Sequence, residues 1–139
     1  MKILVLDDTL YTLHNIARLL ENNGHEVIIC SSIFSMNEQY LLNKHNIDCL
    51  IVDLELNPFG LSETEISETN NGLLAGWIWL KNYVLNEESY EVKCIIFSAY
   101  IDELKKSLTD SKEISLLNNI VLISKGEFDV VESLLSSNI

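Results

Sequence analysis

The stretch KILVLDD, residues 2–8, passes from a run of aliphatic residues straight into two adjacent carboxylates, Asp7 and Asp8. ILVL has the composition of a strand, and it lacks the alternation of a half-exposed one, so it reads as covered on both faces. Two like charges about 4 Å apart repel by roughly 4 kcal/mol at an effective dielectric near 20. A carboxylate pair at the mouth of such a strand therefore requires something positive beside it. An N-cap role for Asp8 before the following helix would use one carboxylate and leave the other unexplained.

Further along the chain, the same kind of run recurs as EVIIC (26–30), CLIVDLEL (49–56), KCIIFS (93–98) and NIVLIS (119–124). Helix-like segments separate the runs. The spacing predicts helices over Leu10–Asn22, with Leu13, Ile16, Ala17 and Leu20 on one face, and within Ser32–Lys44. A third helix is expected in LLAGWIWLKNYV after Gly72, where Trp77 and Trp79 fall on separate stripes and imply burial nearly all round. A helical stretch interrupted by SLTDSKE is expected between Ile101 and Leu117, and a last helix over Glu127–Leu135. Near-continuous apolar strands alternating with helices predict an α/β, doubly wound, five-stranded parallel sheet with helices on both faces. The segment NPFGLSETEISETNN, residues 57–71, reads as an extended acidic loop inside one domain spanning 1–139.

Composition narrows the function classes. The chain has 139 residues, 47% of them hydrophobic, enough for a core without staples. Its formal net charge of -12 repels phosphate backbones and anionic lipid, so neither nucleic acid nor membrane is an expected partner. Cys30, Cys49 and Cys94 lie in apolar runs without CxxC spacing and read as core residues in a reducing, cytoplasmic setting. No run is long enough for a membrane span, and no room for a signal peptide precedes the first strand. His14, His25 and His45 show no ligand spacing and read as surface or half-buried side chains.

In a doubly wound sheet, ligands bind beyond the carboxyl ends of the strands. Those ends carry Asp7 and Asp8, Asp53, Ser98 and Lys125. In this order, an acidic pair, an aspartate, a hydroxyl and a lysine, the chain resembles the receiver domains of two-component response regulators (CheY-like). KILVLDD, LIVDLEL, IIFSAY and VLISKG each match one strand of that pattern, and GHEV matches the approach to the second strand.

The resemblance implies the flavodoxin-like strand order 2-1-3-4-5. It also implies that Asp53 is the phosphoacceptor, that Ser98 and Lys125 assist it, and that Asp7, Asp8, Asp53 and the backbone carbonyl of Glu55 hold Mg²⁺, an ion suited to oxygen ligands. A histidine kinase or phosphotransfer protein would be the donor, a downstream protein the target, and the chain would act in trans as a stand-alone receiver. Glu55 and Tyr100 occupy positions that tune the lifetime of the acyl phosphate in the family.

The chain departs from the family pattern in four places. Gly126 rather than proline follows Lys125, so a trans bond is expected there. Leu122 replaces the aromatic switch residue, Pro58 comes one place late, and the glycine opening the third helix is delayed to Gly72. These departures leave room for a receiver-like binding module that works without phosphorylation. A third reading, a haloacid-dehalogenase-like phosphatase, is disfavoured because its DxDxT motif separates the acids by one residue, whereas Asp7 and Asp8 adjoin and Thr9 follows directly.

Overall fold

In the computed structural model, which describes residues 1–87 and 90–136, five strands form one parallel sheet in the order β2-β1-β3-β4-β5. The strands are β1 (Lys2–Leu6), β2 (Glu26–Cys30), β3 (Cys49–Val52), β4 (Lys93–Ser98) and β5 (Val121–Ser124). The seven α-helices of the described residues are α1 (Leu10–Asn22), α2 (Ile33–Asn43), α3 (Glu63–Ser67), α4 (Ala75–Leu80), α5 (Ile101–Ser107), α6 (Ser111–Leu117) and α7 (Phe128–Ser136). The expected fold class and strand order are those observed.

The period-2 geometry of a strand divides β1 between two cores. Ile3 and Val5 pack with Leu13, Ile16 and Leu20 of α1 and with Val131 and Leu135 of α7. Leu4 and Leu6 join the larger cluster on the other face, with Ile33 and Met36 of α2 and Trp77 and Trp79 of α4. Both tryptophans are fully buried; Trp79 meets Tyr40 edge-on at 5.8 Å, and its Nε1 donates to Asn37 Oδ1 at 3.4 Å. Burial all round α4 is thus as expected. The three cysteines are free thiols, all buried. His25 is also buried, against the expectation of a surface or half-buried ring, because the turn at Gly24 folds it under the first strand's origin, where its Nδ1 meets the terminal amine at 3.1 Å.

Two segments differ from the sequence-based expectation. Residues 57–71 are not a plain loop: Ser62 and Glu65 form a capping box that starts α3, with Ser62 Oγ accepting from Glu65 N–H and Glu65 accepting from Ser62 N–H. This S-x-x-E arrangement satisfies two helix-end donors at once, which is how a polar stretch gains a helical turn. Glu65 also accepts from Asn82 Nδ2 and Tyr83 Oη, both at 2.8 Å, anchoring α3 to the rest of the chain. Those two donors lie in a π-helical turn, Lys81–Leu85, that continues α4 where an α-helix is expected. The end of the segment, Asn70, Asn71 and Gly72, is a run of left-handed residues with φ of 52°, 56° and 89°. Asparagine and glycine are the residues that tolerate such angles.

Candidate functional site

The register of the sheet brings the polar strand ends together. Leu6 of β1 pairs with Val52 of β3, so Asp7 and Asp53 leave the sheet at the same level; Asp53 N–H donates to Leu6 carbonyl at 2.9 Å. Ser98 pairs with Ser124 on the far side of β3, so the residue after Ser124, Lys125, emerges above the same rim. Its Nζ lies 2.7 Å from Asp53 Oδ2 and 3.0 Å from Asp7 Oδ2. Asp7 and Asp53 are buried, whereas Lys125 keeps 28% of its side chain exposed.

The other oxygens of these carboxylates are held by local backbone. Asp53 Oδ1 accepts from Leu54 N–H at 2.7 Å, and Asp7 Oδ1 accepts from Thr9 N–H at 2.9 Å. The bond at the start of α1 therefore belongs to Asp7, not Asp8. Ser98 is fully buried, supports the Asp53 carboxylate through its hydroxyl, and accepts from Tyr100 N–H at 3.1 Å.

Burial raises the Asp53 carboxyl above the ordinary aspartate range and Asp7 adds to the rise, while Lys125 and Ser98 pull the other way without cancelling it. For Lys125, partial burial works to lower the ammonium, but the bonds to Asp53 and Asp7 prevail and raise it. The leading causes differ: desolvation raises the Asp53 carboxyl, whereas two carboxylate partners raise the Lys125 ammonium against its own desolvation.

Asp8 and Glu55 stand apart. Asp8 is exposed and its Oδ2 accepts from Asn57 N–H at 3.4 Å; Glu55, two residues beyond Asp53, has an exposed side chain. Among the described residues, no three His, Cys, Asp or Glu side chains converge as a metal-holding group. The chemistry of the donor set nevertheless fits a small hard dication: Asp7, Asp8 and Asp53 offer oxygen only, and their three negative charges against one ammonium leave an excess of two. The peptide bond after Lys125 is trans, as expected with glycine following, since no cis bond occurs among the described residues.

One residue of the site is absent from the sequence reading. Gly76, near the start of α4, donates its N–H to Leu54 carbonyl at 3.0 Å, and a Cβ built on it would lie 1.8 Å from the Asp53 carbonyl oxygen. Only glycine lets α4 press against the backbone of Asp53. The signal, a glycine inside an otherwise apolar helix, is visible in AGWIWL, and such a glycine marks close approach. A groove of about 490 Å³ opens on the other side of the site, its apolar lining formed by Tyr11, Ile16, Leu19, Phe97 and Phe128 and its polar lining by Thr12, Asn15, Arg18 and Lys125.

Fold and rim together define the class: a doubly wound α/β domain whose strand ends gather buried carboxylates around one lysine. No family model and no curated protein sequence matches the chain. Solved structures do. The chain is similar to a response regulator receiver domain protein from Clostridium thermocellum, with 24% identity, a TM-score of 0.63, and 99% of this chain aligned to 91% of that one. It is also similar to the receiver domain of the Francisella response regulator 1452 (21% identity, TM-score 0.60, 99% and 97% covered). A CheY-like receiver domain protein from Methanospirillum hungatei JF-1 matches at 17% identity, with a TM-score of 0.60 and 99% and 98% covered. At these identities the likeness is one of fold: the chain has the receiver-domain fold over nearly its whole length.

Proposed function

We propose that the chain is a phosphoacceptor receiver, phosphorylated on Asp53 and acting on a partner protein in trans. The observation that carries this reading is the Lys125 ammonium bonded at once to Asp53 and Asp7, beneath a rim that leaves two negative charges uncompensated. An Asp53 carboxylate oxygen attacks the phosphorus of a phosphohistidine on a donor protein; the new O–P bond forms as the P–N bond breaks, and the imidazole leaves with the electron pair and takes up a proton. Phosphoryl transfer depends mainly on positioning and charge neutralisation. Lys125 shifts its bond from the carboxylate to an equatorial phosphoryl oxygen, and Ser98 donates to another. Ala99, small and exposed, leaves the approach open. Asp7, Asp8, Asp53 and the Glu55 carbonyl would hold Mg²⁺, which supplies further neutralisation of the transferring group. The groove beside Lys125, walled by α1 and α7, offers a donor helix an apolar seat next to the acceptor.

The test is incubation with acetyl phosphate and Mg²⁺, read by intact mass. The wild type is expected to gain one phosphoryl group and Asp53→Asn none; equal, unmodified masses for both would overturn the assignment. A second reading draws on Leu122 and Gly126, which stand where the family pattern has an aromatic switch residue and a proline. On that reading the chain is a receiver-like binding module that works unphosphorylated. Magnesium titration followed by NMR separates the two: shifts centred on Asp8 and Asp53 at millimolar metal support the phosphoacceptor, and a flat titration supports the module.

A further inference from the structure

The helix α2 buries Ile33, Met36 and Tyr40 and turns a second apolar stripe outward. At 100° per residue, Phe34, Leu41 and Leu42 gather on the side of the helix turned away from that core face, and they are 68%, 59% and 73% exposed. Eight residues at 1.5 Å rise extend the stripe over roughly 12 Å. Phe59, 81% exposed, prolongs it at the rim end.

This upper end is rigidly built. A Cβ on Gly60 would come within 2.9 Å of Phe34 N, so the turn rests directly on the backbone of α2, and its φ of +109° demands glycine. Phe59 N–H donates to Asn57 Oδ1 at 3.0 Å, Leu61 N–H donates to Pro58 carbonyl at 3.1 Å, and the Leu61 side chain is buried. The two phenylalanines are thus presented by fixed backbone, which lowers the ordering cost of using them in an interface. The same turn touches the acidic rim through the Asn57 bond to Asp8.

Charge identifies the occupant. The basic groups at the C-terminal end of α2 are already paired: Lys44 lies 3.6 Å from Glu87, and Lys2, which donates to Asn43, lies 3.8 Å from Glu26. Glu38 is exposed within the outward stripe, and the exposed Glu55 and Glu63 bracket the turn in sequence. A second copy would bring the same excess of negative charge to the contact, so self-association is disfavoured.

We infer that the face formed by Phe34, Leu41, Leu42 and Phe59 docks a protein partner through an amphipathic helix whose apolar side is flanked by lysine and arginine. This surface is separate from the phosphoacceptor chemistry, and its test uses the unphosphorylated chain without added metal. The probe is a leucine/lysine amphipathic helical peptide, compared with a scrambled peptide of the same composition, in about 0.15 M salt to screen exposed charge. Amide shifts are expected at Phe34, Leu41, Leu42 and Phe59, with binding at least tenfold weaker for the scrambled peptide. The double variant Phe34→Ser/Phe59→Ser, checked for native circular dichroism, should lose binding at least tenfold. Shifts centred elsewhere, at Leu10 and Tyr11 for instance, equal binding by the scrambled peptide, or undiminished binding by a folded double variant would overturn the inference. So would sedimentation as a dimer that the double variant abolishes. Should the double variant not fold, the wild-type shift map decides alone.

Discussion

Burial works against the charged form of Asp53. Its carboxyl is raised by burial first and by Asp7 next, so a neutral amide of the same shape relieves a penalty that the native side chain bears. Asp53→Asn is therefore expected to melt at a higher temperature than the wild type, by calorimetry without metal. Lys125 has the opposite role. Replacing it by methionine removes both ion pairs and leaves two buried carboxylates facing each other. Breaking a fully buried pair costs about 3–5 kcal/mol; with 28% of the lysine side chain exposed, a loss nearer about 2 kcal/mol is expected in urea unfolding. Most of that loss should return in Lys125→Met/Asp53→Asn, the signature of a direct coupling. Asp7, Asp53, Ser98 and Lys125 were all legible in the sequence because each ends a strand, and register alone gathers strand ends. Asp8 is read from the same strand end, but one residue further on the backbone is free to turn and its carboxylate turns to Asn57; Glu55 rests on the resemblance alone.

At the scale of single elements, α4 is tied to the backbone of Asp53 by a glycine, and α3 is tied by a carboxylate to the π-turn that continues α4. Gly76→Ala would drive a methyl group into the Asp53 carbonyl, a backbone atom that cannot rotate away. Overpacking of a well-filled interior costs typically 1–3 kcal/mol, and a loss of about 3 kcal/mol is expected, together with slower modification of Asp53 by acetyl phosphate at a temperature where the variant is folded. Glu65 is pulled upward by its partial burial, but hydrogen bonds from Ser62, Asn82 and Tyr83 hold it below the ordinary glutamate range. A carboxyl lowered on folding contributes stability that is fully present above its unfolded value of about 4.3 and is lost as the pH falls through the folded value. Hydrogen exchange of the α3 amides should accordingly quicken on acidification below about pH 4.3 beyond the trend of other surface helices, and Glu65→Gln should show fast exchange at neutral pH. Why this segment reads as loop in the sequence is clear from its size: five residues, Glu63–Ser67, are too few for apolar periodicity to register, and the capping box is its one local sign. Likewise the π-turn at Lys81–Leu85 has no local signature, since the contacts to Glu65 that accompany it come from a residue some seventeen positions earlier.

For the molecule as a whole, net charge and topology act in different directions. A formal charge of -12 on 139 residues makes the folded state repel itself, so raising sodium chloride from low ionic strength to about 0.15 M, where the screening length falls to about 8 Å, should raise the melting temperature. The fold class was legible because five apolar runs separated by helical periodicity read as a doubly wound parallel sheet; the strand order came through the family resemblance. The sheet also carries its own clock. Cys30, Cys49 and Cys94 lie on β2, β3 and β4, and desolvation pushes their thiols up to about 11, 12 and 12. A folded chain thus offers almost no thiolate to an alkylating reagent, and each label records a moment when that strand was open to water. With β2 at the margin of the sheet, Cys30 should be tagged first; three identical rates would mean that the strands part company all at once.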